Sequence, residues 1–463
     1  MGNKIMDTVK APLVTVYIPN HNYGRFIEQA IKSVLSQTLQ DFELIIIDDG
    51  STDNSEEIIN RYADHDKIIT IFQRKKGLNV TNNIALRASR GSYIMRLDAD
   101  DYLDENALSV LAGMLERNPD TGLVFPDYFI ADEGGIVEEL IRRHDFSQVT
   151  MLDQPAHGAC TLIRRECLME LGGYNESYSC QDGYELWLRF TKRYRVQNVN
   201  LPLFYYRRHS RSLTCDEDRL LDTRASIIEE QTRINGGKLK GVAVIPVRGR
   251  STDPSSPALR LLGGRPLIDW TLETALQAKR LEGVMVTSPD QDLLNYVYGK
   301  YGRKVITVKR DRELARPNTF IEDTVFHALQ EYSLHRTVPG AVVLLYIECP
   351  FRSPRYVDSA IDVMELFGSD TVVAARPDTD VFYRHNGAGL EPLRKDQVLR
   401  LEREDLYREV GQLRVIRRDF LEQTRQVSGG KVGHVVLDAV AALRLRSDWD
   451  WEVAELQASK RGK

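Results

Sequence analysis

The sequence predicts an α/β protein made of two α/β domains in tandem. Three observations carry that prediction. Short β-prone runs alternate with helical spacings through the first hundred residues. Acidic residues and turn chemistry stand where those runs end. A fresh buried run, Val242-Ala-Val-Ile-Pro-Val247, then opens a second alternation after the break at Asn235-Gly-Gly237. At 463 residues the chain is too long for one ordinary core. The boundary is placed near 235, giving domains 1–235 and 236–463.

Leu13 to Ile18 is a continuous apolar run, which fits a buried central strand better than an edge. Pro19-Asn-His-Asn-Tyr-Gly24 ends it, and Phe26, Ala30, Ile31, Val34 and Leu35 recur at helical spacing. Leu44-Ile-Ile-Ile-Asp48-Asp49-Gly50-Ser51 is a second strand closing on two acids, and Ser51 or Asp53 is placed to cap the next helix. Ile68 to Phe72 is a third strand, and Val80 to Ala88 a helix. A fourth strand, Tyr93 to Leu97, is interrupted by Arg96 and runs into Asp98, Asp100 and Asp101. Repeated βα units argue for a mostly parallel sheet covered on both faces. No G-x-G-x-x-G stands after any of these strands.

In open α/β sheets ligands bind at the carboxyl ends of the strands. Carboxylates clustered there repel one another unless a cation lies between them, and Mg²⁺ or Mn²⁺ with a phosphate-bearing ligand suits hard oxygen donors.

Composition narrows the setting. With 28% charged and 42% hydrophobic residues, the chain reads as soluble and globular. A net charge of −5 gives no general reason to bind nucleic acid or an anionic membrane. No apolar run has the length of a transmembrane helix, and Met1 to Lys10 lacks an apolar leader. Cys160, Cys167, Cys180, Cys215 and Cys349 are scattered without zinc-like spacing, so free thiols in a cytoplasmic protein are expected.

Residues 12 to about 212 resemble the family-2 glycosyltransferases of GT-A fold. The matching pieces are Pro19-Asn-His-Asn22, Ser33-Val-Leu-Ser-Gln37-Thr38, Asp48-Asp-Gly-Ser-Thr-Asp53 and Leu97-Asp-Ala-Asp-Asp101. They continue through Gly172-Gly-Tyr-Asn-Glu176, Gln181-Asp182-Gly-Tyr-Glu-Leu-Trp187-Leu-Arg189 and Tyr205-Tyr-Arg-Arg-His209. The resemblance implies donor-nucleotide contacts at Pro19, Asn22, Asp48, Asp49 and Asp98, and a metal held by Asp98, Asp100, Asp101 and His209. It implies Asp182 as the general base that deprotonates an acceptor hydroxyl, giving inversion. Two departures stand out: Asn82-Asn83 where the family usually has arginine-asparagine, and Gln181 where a glutamate usually precedes the base.

Residues 241 to 457 resemble the cytidylyltransferases that make CMP-sialic acid. The match rests on Ile245-Pro-Val-Arg248, Gly264-Arg-Pro-Leu-Ile268, Glu313-Leu-Ala315, Cys349-Pro-Phe-Arg-Ser353 and Glu452-Val-Ala-Glu455. Its active-site pattern is degenerate. Thr252 and Pro257 replace two lysines, Tyr346 replaces a glutamine, and the metal motif falls on Arg444-Leu-Arg446-Ser447. Mg²⁺ about 4 Å from one arginine is disfavoured by roughly 8 kcal/mol at an effective dielectric of 20. A shifted register would make Asp448 and Asp450 the pair instead. Arg248, Ser251, Arg444 and Arg446 remain as candidate phosphate-binding residues.

The whole reads as an inverting glycosyltransferase using Mn²⁺ or Mg²⁺ in bacterial surface glycan synthesis. Its partners would be a nucleotide-sugar donor and a glycan, lipid-linked or protein-linked acceptor. It is expected in the cytoplasm or at the inner face of the membrane. The arginine-rich insert from Tyr383 to Arg418 and the resemblance together suggest a homodimer. The alternatives are a bifunctional enzyme whose second half makes a CMP-sugar, and a non-catalytic scaffold.

Overall fold

The computed structural model describes residues 11–142, 156, 158–209, 216–251, 253–316, 318–378, 380, 382–392 and 406–461. Thr252, Cys215, the first ten residues and 393–405 of the arginine-rich insert lie outside them. The chain forms two compact units, residues 1–216 with 381–404, and 217–380 with 405–463.

The first unit opens with β1 (Val14–Asn20), α1 (Ile27–Leu35), β2 (Phe42–Asp49), α2 (Ser55–Asn60), β3 (Ile68–Gln73), α3 (Leu78–Ala88) and β4 (Tyr93–Arg96). β1 lies between β2 and β4, and β2 beside β3, all parallel. Every residue of β2 is buried, as a strand covered on both faces requires. Ile27, Ala30, Ile31 and Val34 seat α1 on that sheet. The sheet continues through β5 (Tyr102–Leu103), α4 (Ala107–Arg117), β6 (Thr121–Ala131), β7 (Val137–Ile141) and β8 (Leu162–Arg164). After α5 (Arg165–Glu170) and α6 (Asp182–Phe190), β9 (Arg195–Arg207) completes it. The strand order is β3-β2-β1-β4-β8-β6-β9-β5, with β7 on β6. β8 is antiparallel to β4, which sequence periodicity did not foresee.

The second unit begins with α7 (Glu217–Ile234), β10 (Gly241–Pro246), the short pair β11 (Leu261–Leu262) and β12 (Arg265–Pro266), and α8 (Leu267–Gln277). There follow β13 (Leu281–Ser288), α9 (Gln291–Tyr301), β14 (Ile306–Lys309), α10 (Ile321–Ser333), β15 (Ala341–Leu345), α11 (Pro354–Phe367) and β16 (Thr371–Asp378). The hairpin β17 (Tyr383–His385) and β18 (Leu390–Pro392) lies in the stretch grouped with the first unit. β19 (Leu406–Arg417), α12 (Arg418–Thr424), β20 (Val432–Val436) and α13 (Asp448–Arg461) end the chain. The seven-stranded order is β14-β13-β10-β15-β19-β16-β20, with β19 antiparallel to its neighbours. Both sheets therefore begin the same way: third, second, first and fourth strands parallel, then an antiparallel strand.

Candidate active site

Because β1, β2, β3 and β4 are parallel, their carboxyl ends share one edge of the sheet. Asn20 pairs in register with Asp48, Asp49 with Gln73, and Tyr17 with Arg96. The first acidic turn is knitted together by its own side chains. Asn20 Nδ2 donates to Asp48 Oδ2 at 2.8 Å, and the Ser51 amide to Asp48 Oδ1 at 2.8 Å. Asn22, at a φ of 63°, donates its amide to Ser51 Oγ at 2.8 Å and accepts from the Thr52 amide at 2.7 Å. Pro19, Asn22 and Asp48 are thus brought together, with Asp48 holding the turn in shape.

Asp49 is turned to the next loop. Its Oδ1 accepts from Gln73 Nε2 at 2.8 Å and the Lys76 amide at 2.7 Å, and its Oδ2 from the Gly77 amide at 2.8 Å. This carboxylate fixes the segment between β3 and α3.

The second acidic turn follows β4. Asp101 is fully buried; its Oδ1 accepts the Arg207 amide at 2.9 Å, and its Oδ2 has no hydrogen-bond partner among the described residues. Burial first, then Asp100 and Asp98, raise the Asp101 carboxyl well above its ordinary range. Asp98 is pushed up to about 6, again by burial first, with Arg96 opposing. His209, delivered by the end of β9, sets Nε2 at 2.9 Å from Asp100 Oδ2 and stacks on Phe26 at 5.2 Å. Tyr23 meets the same imidazole edge-on, and burial beside the three acids raises its phenol.

Among the described residues no three His, Cys, Asp or Glu side chains close on a common point, so no finished metal cage is present. Mg²⁺ and Mn²⁺ sites seldom have one: one or two carboxylates plus substrate phosphates and water complete the shell. The orphaned Asp101 Oδ2 and the crowded acids fit a cation arriving with its ligand. The side chains that could hold it are Asp98, Asp100 and Asp101 of the turn, with His209 after β9, Asp101 through Oδ2 alone because its Oδ1 accepts the Arg207 amide.

Asp182 opens α6, next to Gln181 in left-handed backbone at a φ of 59°. Three asparagines of α3 hold the segment that carries it. Asn79 donates to the carbonyls of Asn175 and Tyr178, Asn83 closes on both the amide and the carbonyl of Tyr174, and Asn82 Nδ2 lies 3.4 Å from Asp182 Oδ2. The Asn82-Asn83 departure is thus a clamp on this segment.

Arg96 is the residue that sequence reasoning passed over, treating it as a break in an apolar strand. Its Nη1 donates to Asp182 Oδ2, and its Nε lies 2.9 Å from Asp98 Oδ1. Burial opposes its charge, but Asp182 and Asp98 hold the guanidinium firmly protonated. An arginine in a strand whose four residues are all buried was the available signal, because a buried cation needs a partner.

Residues 15–172 match the family described as Glycosyl transferase family 2. The N-terminal half carries a family-2 glycosyltransferase domain. The chain is 28% identical over 193 residues to the chondroitin synthase of Escherichia coli, covering 41% of this chain and 28% of that protein. It is 27% identical over 195 residues to the hyaluronan synthase of Pasteurella multocida, covering 41% and 20%. The chain therefore spans under a third of either relative's length. A mannosyltransferase from Pyrobaculum calidifontis, solved in complex with GDP-Man and Mn²⁺, aligns at 20% identity and a TM-score of 0.40 over 49% of this chain and 65% of that one. No helix among the described residues is long and apolar enough to cross a membrane.

In the second unit, the candidate phosphate residues sit at the carboxyl edge of the parallel strands β10 and β15. Exposed Arg248 follows β10, and the Ser251 amide donates to Asp290 Oδ2 at 3.3 Å. Arg444 reaches the Gln412 side chain at 2.9 Å, and the Leu445 amide donates to the Glu348 carbonyl after β15. The Arg446 and Ser447 amides and Ser447 Oγ all donate to Asp450 Oδ2, and the Asp450 amide returns to Ser447 Oγ at 3.3 Å. This is a reciprocal cap on α13. Asp450 Oδ2 is engaged in this cap, which gives that carboxylate a structural role apart from the shifted-register pair with Asp448. Sequence reasoning also missed Arg310. It is buried and donates to Thr324 Oγ1 and the Val247 carbonyl at 3.1 Å each, with no carboxylate at ion-pair distance among the described residues. Burial, then Arg248, lowers its pKa to about 10.

Proposed function

We propose that the glycosyltransferase domain transfers a sugar from a nucleotide-sugar donor to a hydroxyl acceptor with inversion, in the assembly of a bacterial polysaccharide. The observation that carries this reading is Asp182: a carboxylate 8% exposed at a helix start, with Oδ2 held by Arg96 and Asn82 and Oδ1 without a hydrogen bond among the described residues. A base fixed through one oxygen keeps the other for the incoming hydroxyl. The acceptor oxygen forms the new bond to the anomeric carbon as its proton passes to Asp182 Oδ1. The bond to the donor phosphate breaks with its electron pair, and the nucleoside diphosphate leaves. Asp98, Asp100, Asp101 and His209 would hold the Mn²⁺ or Mg²⁺ that offsets charge on the leaving group. Pro19, Asn22, Asp48 and Asp49 build the wall for the donor nucleotide. The identities of the chondroitin and hyaluronan synthases support polysaccharide synthesis as the setting.

The part of the second unit that follows α7, from about 235, is read as cytidylyltransferase-like in fold and unable to carry out metal-dependent nucleotidyl transfer. Its seven-stranded order supports the fold, and Arg444, Arg446 and the capped Asp450 support the loss of chemistry. Buried Arg310 beside Arg248 favours retained binding of a phosphate-bearing ligand, since a buried cation gains most from a bound anion. A cytoplasmic homodimer, peripheral to the membrane if its acceptor is lipid-linked, completes the proposal.

The test is a transfer screen with the full chain and its Asp182→Ala variant across UDP-, GDP-, dTDP- and CMP-sugars with Mn²⁺ or Mg²⁺. Turnover that needs metal and vanishes with Asp182→Ala is expected. A chain that turns over no donor would favour the scaffold reading.

A further inference from the structure

We propose that Arg96 is the positioning residue of the transfer reaction, fixing the base Asp182 and tying it to the acidic turn through Asp98. The proposal rests on the function proposed above and names a part of that site which neither the family match nor the motif reading assigns.

Arg96 ends β4 in register with Tyr17 of β1, and the amides of Leu97 and Cys160 donate to the carbonyls of Tyr17 and Arg96 at 2.9 and 2.8 Å. With strands on both sides, the Cα of Arg96 has no freedom to shift. Its side chain is 7% exposed and spans two carboxylates from different elements, Asp98 after β4 and Asp182 at the start of α6. Asp182 takes the Nη1 hydrogen bond, while Asp98 is held mainly by charge, its Oδ1 2.9 Å from Nε without hydrogen-bond geometry and its Oδ2 a long 3.5 Å from Nη2. A guanidinium serves both because its charge spreads over a planar fork, whereas an ammonium is a single point charge.

The surroundings are shaped to it. A Cβ on Gly158 would stand 2.3 Å from Arg96 Nη2, and one on Gly183 would stand 3.6 Å from Gly158 Cα. Gly158 thus lets the backbone lie against the guanidinium, whereas the Gly183 distance is ordinary contact. The Tyr17 and Tyr174 hydroxyls, 3.2 Å apart, lie in the same electrostatic neighbourhood, with burial raising both phenols.

A purely structural ion pair predicts a loss of stability with normal turnover per folded molecule. A positioning residue predicts the opposite emphasis. Arg96→Gln is expected to lower kcat about 100-fold, the scale of an ångström-sized misplacement of a catalytic group, with a smaller rise in donor KM because Asp98 also loses its partner. Arg96→Lys should recover only part of the loss, because one ammonium cannot hold both acids. Arg96→Ala should regain kcat in millimolar guanidinium chloride, well below denaturing concentrations, and not in equal sodium chloride. Gly158→Ala keeps every charged group and should lower kcat by displacing the guanidinium.

The outcomes separate cleanly. Folded Arg96→Gln and Gly158→Ala with wild-type kcat overturn the positioning role and leave the function standing. Loss of kcat in Arg96→Gln that guanidinium rescues in Arg96→Ala supports it. If either variant fails to fold, the guanidinium rescue of Arg96→Ala and the partial recovery in Arg96→Lys still decide. A wild-type chain inert toward every donor overturns the function and this proposal together.

Discussion

The imidazole of His209 sits on the ring of Phe26 and meets Asp100 Oδ2 at 2.9 Å, joining the end of β9 to the acidic turn after β4. Its side chain is only 4% exposed, so it is fixed in place. His209→Ala should therefore raise the half-saturating Mn²⁺ concentration of the transfer reaction by about 10- to 100-fold, the usual effect of losing a ligand or its orienting partner. A metal titration of initial rates checks this. An unchanged half-saturation with a lower melting temperature would assign His209 to packing alone.

Gln37 joins two helices with a single amide. Its Nε2 donates to the carbonyls of Ser33 and Asp104, and its Oε1 accepts the Leu108 amide at 2.9 Å near the start of α4. Gln37→Leu would strand the buried Leu108 N–H, while the Ser33 and Asp104 carbonyls keep Ser36 Oγ and the Ala107 amide as donors, so the cost is about 1–3 kcal/mol. Urea unfolding of the full chain measures it. Turnover per folded molecule should be retained.

The Ser447–Asp450 cap gives a prediction with a pH signature. The Arg446 amide, then Ser447, lower the Asp450 carboxyl below its ordinary value. Its contribution to stability is therefore complete above the unfolded carboxyl pKa, near 4, and is lost as the pH falls through the lower folded value. Ser447→Ala should cost about 1 kcal/mol at neutral pH, with the difference from wild type shrinking in acid. Thermal unfolding from pH 7 down to 3 tests this, and a constant difference would contradict it.

Much of this architecture was open to sequence reading. The unbroken apolar runs of β1 and β2, covered on both faces, were bound to be central strands, and parallel pairing then forced Asp48, Asp49 and Asp98 onto one edge. The partners of those acids were not legible. Asp182 and Arg96 stand 86 residues apart and Asp100 and His209 stand 109 apart, and no local periodicity encodes a pairing across that distance. Arg310 was invisible for the same reason, since its burial comes from residues distant in the chain. The cap at Ser447 and Asp450 is legible as Ser-x-x-Asp before a helix, a pattern whose Asp450 also belongs to a pair of candidate metal carboxylates.

Thiol chemistry gives a further check. Burial raises the Cys160 thiol well above its ordinary value, raises Cys167, and pushes Cys349 up to about 11. Since the thiolate is the reactive form, all three should resist a disulfide-exchange reagent in the native protein at pH 8. They should react within minutes once the chain is unfolded. Rapid native labelling of Cys349, located by peptide mapping, would show that its shelter is not kept in solution.

The three hydrogen bonds that Asp49 makes to Gln73, Lys76 and Gly77 have a consequence for the loop's motion. An irregular segment at a ligand edge normally fluctuates, and a ligand must then meet the entropy of quieting it. Here two successive loop amides end on a carboxylate rooted in a fully buried strand. Deuterium should enter the amides of Lys76 and Gly77 as slowly as those of β2, while Arg74 and Lys75 exchange fast. The donor would then find that wall already still.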